Sequence, residues 1–281
     1  MSQLQLRLIY GSLGLAIVLI AIYFSHCPFF RPIFTLITAG IIGTAIWEYY
    51  QLAKAKGYEP LQKIGIGFAV LYVFAVFFKS QYEATSPLPT ITLGCALVTG
   101  FLYDFKNGNN PIVNLALTVF GIVYLAIPLS CIIDITFTYE YPGLQDGRLW
   151  ILYLLAVTKS TDIGAYVSGK LFGQNKLAPR ISPKKTWEGA VGGFVAALIA
   201  SLLFHFFSVR GIAMTLPFWH SIILGSLVSI FAQLGDLSES LLKRDAGIKD
   251  SNNLPGLGGM LDIVDSLVFS TPILCLYLKL F

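Results

Sequence analysis

Apolar segments long enough to cross a lipid bilayer follow one another along almost the whole chain, and this constrains the fold more than any other feature. The first runs from Leu8 to Phe24, and the others cover roughly 32–48, 64–78, 88–103, 111–135, 149–170, 187–207, 216–236 and 263–281. A crossing helix needs about 20 predominantly apolar residues, and inside hydrocarbon its backbone groups must be satisfied within the segment. The expected fold is therefore all-α: a polytopic integral membrane bundle of about nine transmembrane helices. The first run is longer than the apolar stretch of about 7–15 residues in a signal peptide. It is followed by His26-Cys27-Pro28-Phe29 and not by a small-residue cleavage site, so it reads as a span. Gly121 and Gly192-Gly193 lie within spans, where small residues mark close helix packing.

Composition enters as a check. Hydrophobic residues make up 56% of the chain and charged ones 12%, against about 45–50% and about 25% in a soluble domain; the mean hydropathy is +0.73. The net charge of +4 is modest and gives no ground for a nucleic-acid partner. Its distribution is more informative. With the N-terminus inside, thirteen basic residues fall in inner segments and five in outer ones, with Lys159 inside a span. The positive-inside rule then places the N-terminus in the cytoplasm and the C-terminus outside. Trp47 and Trp187 fall at inner span ends and Trp150 and Trp219 at outer ends, where an aromatic belt is expected. Spans one to five form an N-terminal region, 1–148; spans six to nine form a second, 149–281, with cytoplasmic loops 170–188 and 237–262. Cys27, Cys95, Cys131 and Cys275 are scattered, and so are His26, His205 and His220, so neither a disulfide framework nor a zinc site is indicated. The short N-terminus without an organelle signal points to a bacterial plasma membrane.

An ionisable residue inside a span costs about 2.5–3.5 kcal/mol on insertion scales and is a functional hypothesis by default. Glu48 and Asp134 in the first half sit near span ends, where interfacial solvation would account for them. In the second half, Lys159 and Asp162 lie well inside span six, span eight ends Gly235-Asp236-Leu237-Ser238-Glu239-Ser240, and the last span starts Asp262-Ile263-Val264-Asp265. These polar stretches share the cytoplasmic side with the two loops. Asp262 and Asp265, at i and i+3, occupy one helix face, an arrangement that calls for a cation. Oxygen ligands without Cys or His suit Mg²⁺, and Asp236 is the natural third ligand. Glu239, one turn further on than Asp236, reads first as an ion-pair partner of Lys243 at i+4 and second as a further ligand. In the first loop, Ser182 followed by Pro183 reads as an N-cap and first helical position, which would set free N–H groups beside Lys184 and Lys185 as an anion site. The second loop has Lys243-Arg244, Lys249-Asp250-Ser251 and Pro255-Gly256-Leu257-Gly258-Gly259, whose glycines would let backbone approach phosphate. Cations facing carboxylates suit a polyphosphate with Mg²⁺ and, at a membrane surface, a lipid headgroup.

At these residues the chain resembles the phosphatidate cytidylyltransferases (CDP-diacylglycerol synthases). The resemblance rests on Ser240-Leu241-Leu242-Lys243-Arg244, Lys249-Asp250-Ser251, Pro255-Gly256, Gly258-Gly259, Asp262 and Asp265. Asp162-Ile163-Gly164-Ala165-Tyr166 and Ser182-Pro183-Lys184-Lys185-Thr186-Trp187-Glu188-Gly189 precede them, and the ordered blocks cover roughly 156–270. The family pattern usually has His where Leu257 stands and Arg where Ile263 stands, so a role for either residue is absent here or relocated. The resemblance implies transfer of CMP from CTP to phosphatidic acid, giving CDP-diacylglycerol and pyrophosphate. It further implies Mg²⁺ on Asp236, Asp262 and Asp265, with a monovalent cation such as K⁺ beside it, and a homodimer. Lys243, Arg244 and Lys249 would offset pyrophosphate charge. Ser182, Lys184 and Lys185 would hold the triphosphate or the lipid phosphate, and Asp162 would orient a cation or a lysine. Ser240, Asp250, Gly258 and Gly259 complete the expected substrate-binding set. The rival readings are a CTP-dependent lipid kinase and, in another class, an ion-coupled transporter using Lys159, Asp162 and Asp236 as a relay.

Overall fold

The structure, a computed structural model, describes residues 3–139, 145–248 and 259–281, with side chains from Leu13 onward apart from Leu15 and Asn107. The helices follow the apolar runs: α1 (Gln3–Phe24), α2 (Arg31–Ala55), α3 (Gln62–Gln81), α4 (Leu88–Asn107), α5 (Pro111–Gly121), α6 (Ile127–Thr138), α7 (Gly147–Phe172), α8 (Trp187–Val209), α9 (Phe218–Asp245) and α10 (Met260–Leu280). A π-helical turn, Ile122–Ala126, joins α5 and α6 into one segment. Among the described residues, seven segments are long and apolar enough to cross a membrane: Arg31–Ala55, Gln62–Gln81, Glu83–Lys106, Pro111–Thr138, Trp187–Val209, Phe218–Asp245 and Met260–Leu280. α1 and α7 are the other two long helices, at 22 and 26 residues. The chain is thus an all-α polytopic membrane protein. It divides into two compact units, one within Met1–Thr138 and Asp245–Val264, the other within Tyr139–Arg244 and Asp265–Phe281.

In the first unit, α3 packs against α2, α4 and α6, around buried Ala45, Ile46, Tyr50, Val73, Leu125 and Ile133. The π turn has a local cause. Pro128, one turn on, has no N–H to give the helix, and π turns arise where the regular ladder is interrupted. Ile122 N–H turns to Val119 O, and Thr118 O accepts from Tyr50 Oη at 2.8 Å. Gly121 gives the tyrosine room, since a Cβ there would lie 2.9 Å from Tyr50 Cε1. Interfacial solvation does not account for Glu48 or Asp134, which are only 3% and 8% exposed. α2 continues about two turns beyond Glu48, which carries the carboxylate away from the helix end. Asp134 has Lys79 Nζ at 3.9 Å.

In the second unit, α7 and α8 come together through glycines. A Cβ on Gly164 would lie 2.5 Å from Ala196 Cβ and 2.8 Å from Gly192 O, and one on Gly193 would lie 2.7 Å from Thr161 O. α8 alternates its faces at a four-residue interval: Gly189, Gly193, Ala197 and Ser201 are buried, whereas Val191, Val195, Ile199 and Leu203 are exposed. Small residues toward the neighbouring helix and branched ones toward lipid are what membrane packing favours. Ser201 Oγ donates to Ser221 O at 2.6 Å and lies 2.8 Å from Tyr153 Oη. Two local expectations are corrected here. Trp150 is buried and not part of an interfacial belt; its Nε1 donates to Gln145 Oε1 at 2.9 Å. Ser182 and Pro183 do not start a helix. They open strand β2 (Ser182–Thr186), which pairs antiparallel with β1 (Lys176–Ala178). The N-cap is Thr186, in extended conformation, whose Oγ1 accepts from Gly189 N at 3.1 Å. Serine before proline is compatible with either role; pairing with β1 decides for the strand.

The glycine contacts give a contrast between identical changes. Gly164→Ala puts a methyl into backbone and Ala196, and should destabilise by about 1–3 kcal/mol. Gly40→Ala, on an exposed part of α2 with nothing within 4 Å of the new Cβ, should gain about 0.5–1 kcal/mol of helix propensity. Thermal unfolding of both variants in one detergent should move Tm in opposite directions.

Candidate metal and phosphate site

The second unit gathers carboxylates at one place. Oxygen atoms of Asp236, Glu239 and Asp265 all lie within 4.8 Å of one another. Asp236 and Glu239 are three residues apart on α9, so they share a face; Asp265 comes from α10. The close approach depends on Gly235: a Cβ there would lie 2.3 Å from Asp265 O. Any other residue would push the two helices apart at the point where the carboxylates meet. Glu239 is 1% exposed and Asp265 9%, while Asp236 is partly open to solvent. Asp265 accepts from Ser266 N–H.

Two lysines bracket the trio. Lys243 Nζ is 2.8 Å from Glu239 Oε2, one turn along α9 and itself largely buried, and Lys185 Nζ reaches Asp236 Oδ2 at 2.7 Å from β2. Glu239 therefore does both things weighed for it in the sequence: it pairs with Lys243 at i+4 and it joins the acidic cluster. The i, i+3 spacing of Asp236 and Glu239 was the signal for the second role. The hairpin that carries Lys185 is held at several points. Glu188 accepts from the backbone N–H groups of Gln174 and Asn175 and from Asn175 Nδ2. Trp187 N donates to Asn175 O at 2.9 Å, and Arg244 Nε, at the end of α9, donates to Ile181 O at 3.0 Å. Ser182 is half-buried, Lys184 is exposed, and Ser240 is half-buried on α9. Asp162 pairs with Lys159 on α7, Nζ to Oδ2, at 3.1 Å.

Asp262 belongs to the first unit, where its Oδ2 accepts from Gly259 N at 3.0 Å. In that unit Glu48, which the sequence did not single out for a role, accepts from Met260 N at 2.9 Å and Leu261 N at 2.8 Å. Lys249, Asp250 and Gly258 lie outside the described residues, as does Leu257. Chemically, three converging carboxylates form an all-oxygen donor set. Their formal charge of three is offset by two lysines, and the remainder favours a hard cation such as Mg²⁺ over zinc or copper.

The model of the Cytidylyltransferase family matches residues 5–281. A phosphatidate cytidylyltransferase of Chlamydia pneumoniae is 34% identical across 97% of this chain and 91% of its own. That of Bacillus subtilis is 31% identical across the whole of both chains. That of Haemophilus influenzae is 31% identical across 92% of this chain and 94% of its own.

The pairing of Glu239 with Lys243 can be tested by stability alone. Removing one partner of a buried ion pair costs about 3–5 kcal/mol. Lys243→Met should therefore lower Tm sharply in divalent-free buffer, adding Glu239→Gln to it should recover most of the loss, and Lys184→Met on the exposed side of the hairpin should change little.

Proposed function

The chain belongs to the cytidylyltransferase family, and from that membership we propose that it transfers CMP from CTP to phosphatidic acid at the cytoplasmic face of a bacterial plasma membrane. The observation that carries the reading is the cluster of Asp236, Glu239 and Asp265 bracketed by Lys185 and Lys243. A phosphate oxygen of the lipid attacks the α-phosphorus of CTP, the bond from that phosphorus to the bridging oxygen breaks, and pyrophosphate leaves. The attacking phosphate is already ionised near neutral pH, so no strong general base is required, and positioning with charge neutralisation supplies most of the catalysis.

The carboxylates of Asp236, Glu239 and Asp265 fit a divalent ion by donor type and by mutual distance. Mg²⁺, when bound, supplies positive charge next to the reacting and leaving phosphate oxygens. The chain's own contribution is to keep cations at the edge of the trio. Lys185 and Lys243 each hold an ammonium against a carboxylate of the trio, where each would also offset phosphate charge. Arg244, tied to the hairpin turn, and Ser182 and Lys184 on β2 extend the positive surface for the triphosphate or the lipid phosphate. On the family signature, and not on a distance, the proposal includes Asp262 among the metal ligands. Ser240, Lys249, Asp250, Gly258 and Gly259 are assigned to the nucleotide and phosphates, and Asp162 to orienting a cation or Lys159. A monovalent cation beside Mg²⁺ and assembly as a homodimer belong to the same proposal.

The decisive assay incubates purified protein with labelled CTP, phosphatidic acid and Mg²⁺. Lipid-extractable CMP label with stoichiometric pyrophosphate is expected; transfer of the γ-phosphate would identify a lipid kinase instead. Asp265→Asn and Asp262→Asn should each reduce kcat by at least about a hundredfold, the scale on which loss of one charge-stabilising group acts, while leaving expression and thermal unfolding intact. Near-full activity in Asp265→Asn would refute the metal assignment.

A further inference from the structure

The start of α10 poses a problem in elementary helix chemistry. The first N–H groups of a helix have no partner within it, and a side chain just before the helix normally supplies one. Here the residues leading into α10 are Pro255-Gly256-Leu257-Gly258-Gly259, and none carries an oxygen on its side chain. If these glycines let backbone approach a phosphate, they also offer no side-chain oxygen to the first N–H groups of the helix. The structure shows where the partners come from. Gly259 N donates to Asp262 Oδ2, Met260 N to Glu48 Oε1 and Leu261 N to Glu48 Oε2, at 3.0, 2.9 and 2.8 Å. Three successive N–H groups thus end on carboxylates, two of them on a side chain more than two hundred residues away on α2.

Glu48 is 3% exposed. A buried carboxylate persists only when hydrogen bonds and charge offset its desolvation. Glu48 obtains both from the N-terminus of α10, where free N–H groups and the positive end of the helix dipole coincide. Its two oxygens meet two consecutive donors, which fixes the direction and the starting residue of the helix. Neutral Gln could accept at one oxygen only and would set an amide NH₂ against the second donor.

We propose that Glu48 is a positioning residue for the acidic helix: by clamping the amides of Met260 and Leu261 it sets where α10 begins and so where the Asp262 carboxylate is presented. The inference rests on the reading of Asp262 as a metal ligand for its functional consequence, but the clamp itself is independent of that reading.

The test uses full-length protein in detergent and compares wild type, Glu48→Gln and Glu48→Asp; the last keeps the charge on a shorter arm in case the first folds poorly. Amide hydrogen exchange, read by mass spectrometry on peptides covering 259–266, should speed up at least about tenfold in Glu48→Gln, as expected for loss of charge-assisted hydrogen bonds. Peptides from α3 should not change. In steady-state assays the half-saturating Mg²⁺ concentration should rise at least about tenfold with KM for CTP nearly unchanged, and saturating Mg²⁺ should restore most of kcat. Glu48→Asp should lie between the two on both readouts. Unchanged exchange at 259–266 would overturn the clamp. A lowered Tm with unchanged Mg²⁺ dependence would reduce Glu48 to a packing role and overturn the positioning claim. If wild-type activity proved indifferent to Mg²⁺, the metal reading under the proposed function would fall, while the exchange measurement would still decide whether Glu48 holds the helix.

Discussion

A carboxylate moved from water into a low-dielectric interior loses several kcal/mol of solvation, and this chain does it repeatedly. The fold is organised around the partners these groups require. Asp146 takes the N–H and guanidinium of Arg148 at the start of α7, Asp134 has Lys79, and Glu48 has two helix N–H groups. Where a single buried carboxylate finds one set of partners, the arrangement is complete and reads as structural. Asp236, Glu239 and Asp265 are different in kind. Like charges this close disfavour one another's ionisation, and their neighbouring lysines supply two positive charges for three negative ones. A further cation would stabilise such a set in its ionised form, which is why the proposed metal site rests on the trio and not on the other buried carboxylates.

Bringing these groups together depends on the absence of side chains elsewhere. Gly235 lets α9 approach the backbone of Asp265 far more closely than any Cβ would allow, so the residue before Asp236 sets the distance over which Asp236 and Asp265 can act jointly. Glycines on α7 and α8 do the same for those helices. In a membrane there is little hydrophobic gain from pairing helices, and close van der Waals contact carries the association. The apolar bulk of the sequence thus secures insertion, while a small number of glycines secures the geometry.

The helical segments could be read from the chain because hydropathy over about 20 residues is a strong signal, and the all-α membrane architecture followed from it. Gly121 and Gly192-Gly193 were legible as packing positions for the same reason. What escaped were features set by tertiary partners that the local pattern does not reveal. Ser182-Pro183 carries a helix-start pattern, yet pairing with 176–178 makes it a strand and moves the cap to Thr186. Trp150 has the position of a belt residue but is buried against Tyr153 and Tyr277. Glu48 looked interfacial because its two partners lie at the far end of the chain. Asp236 and Asp265 could be paired from motif and charge, whereas the place of Glu239 beside them followed from its position one turn along α9, which spacing suggests but only a fold confirms.

The hairpin carrying Lys185 completes the physical argument. A two-stranded ribbon of this size is marginal by itself in water, and a lysine on a loose loop would spend most of its time in solvent. Here Glu188 takes three N–H groups at the open end, Thr186 caps α8 at the strand's last residue, and Arg244 grips the carbonyl of Ile181 at the turn. Each anchor comes from an element adjoining the acidic trio: the start of α8 or the end of α9. The side-chain entropy of placing Lys185 against Asp236 is therefore largely lost on folding and would not be lost again on the proposed binding of a phosphate. An exposed basic loop would serve topology equally well without any of these bonds, so their presence supports the binding role proposed for the hairpin.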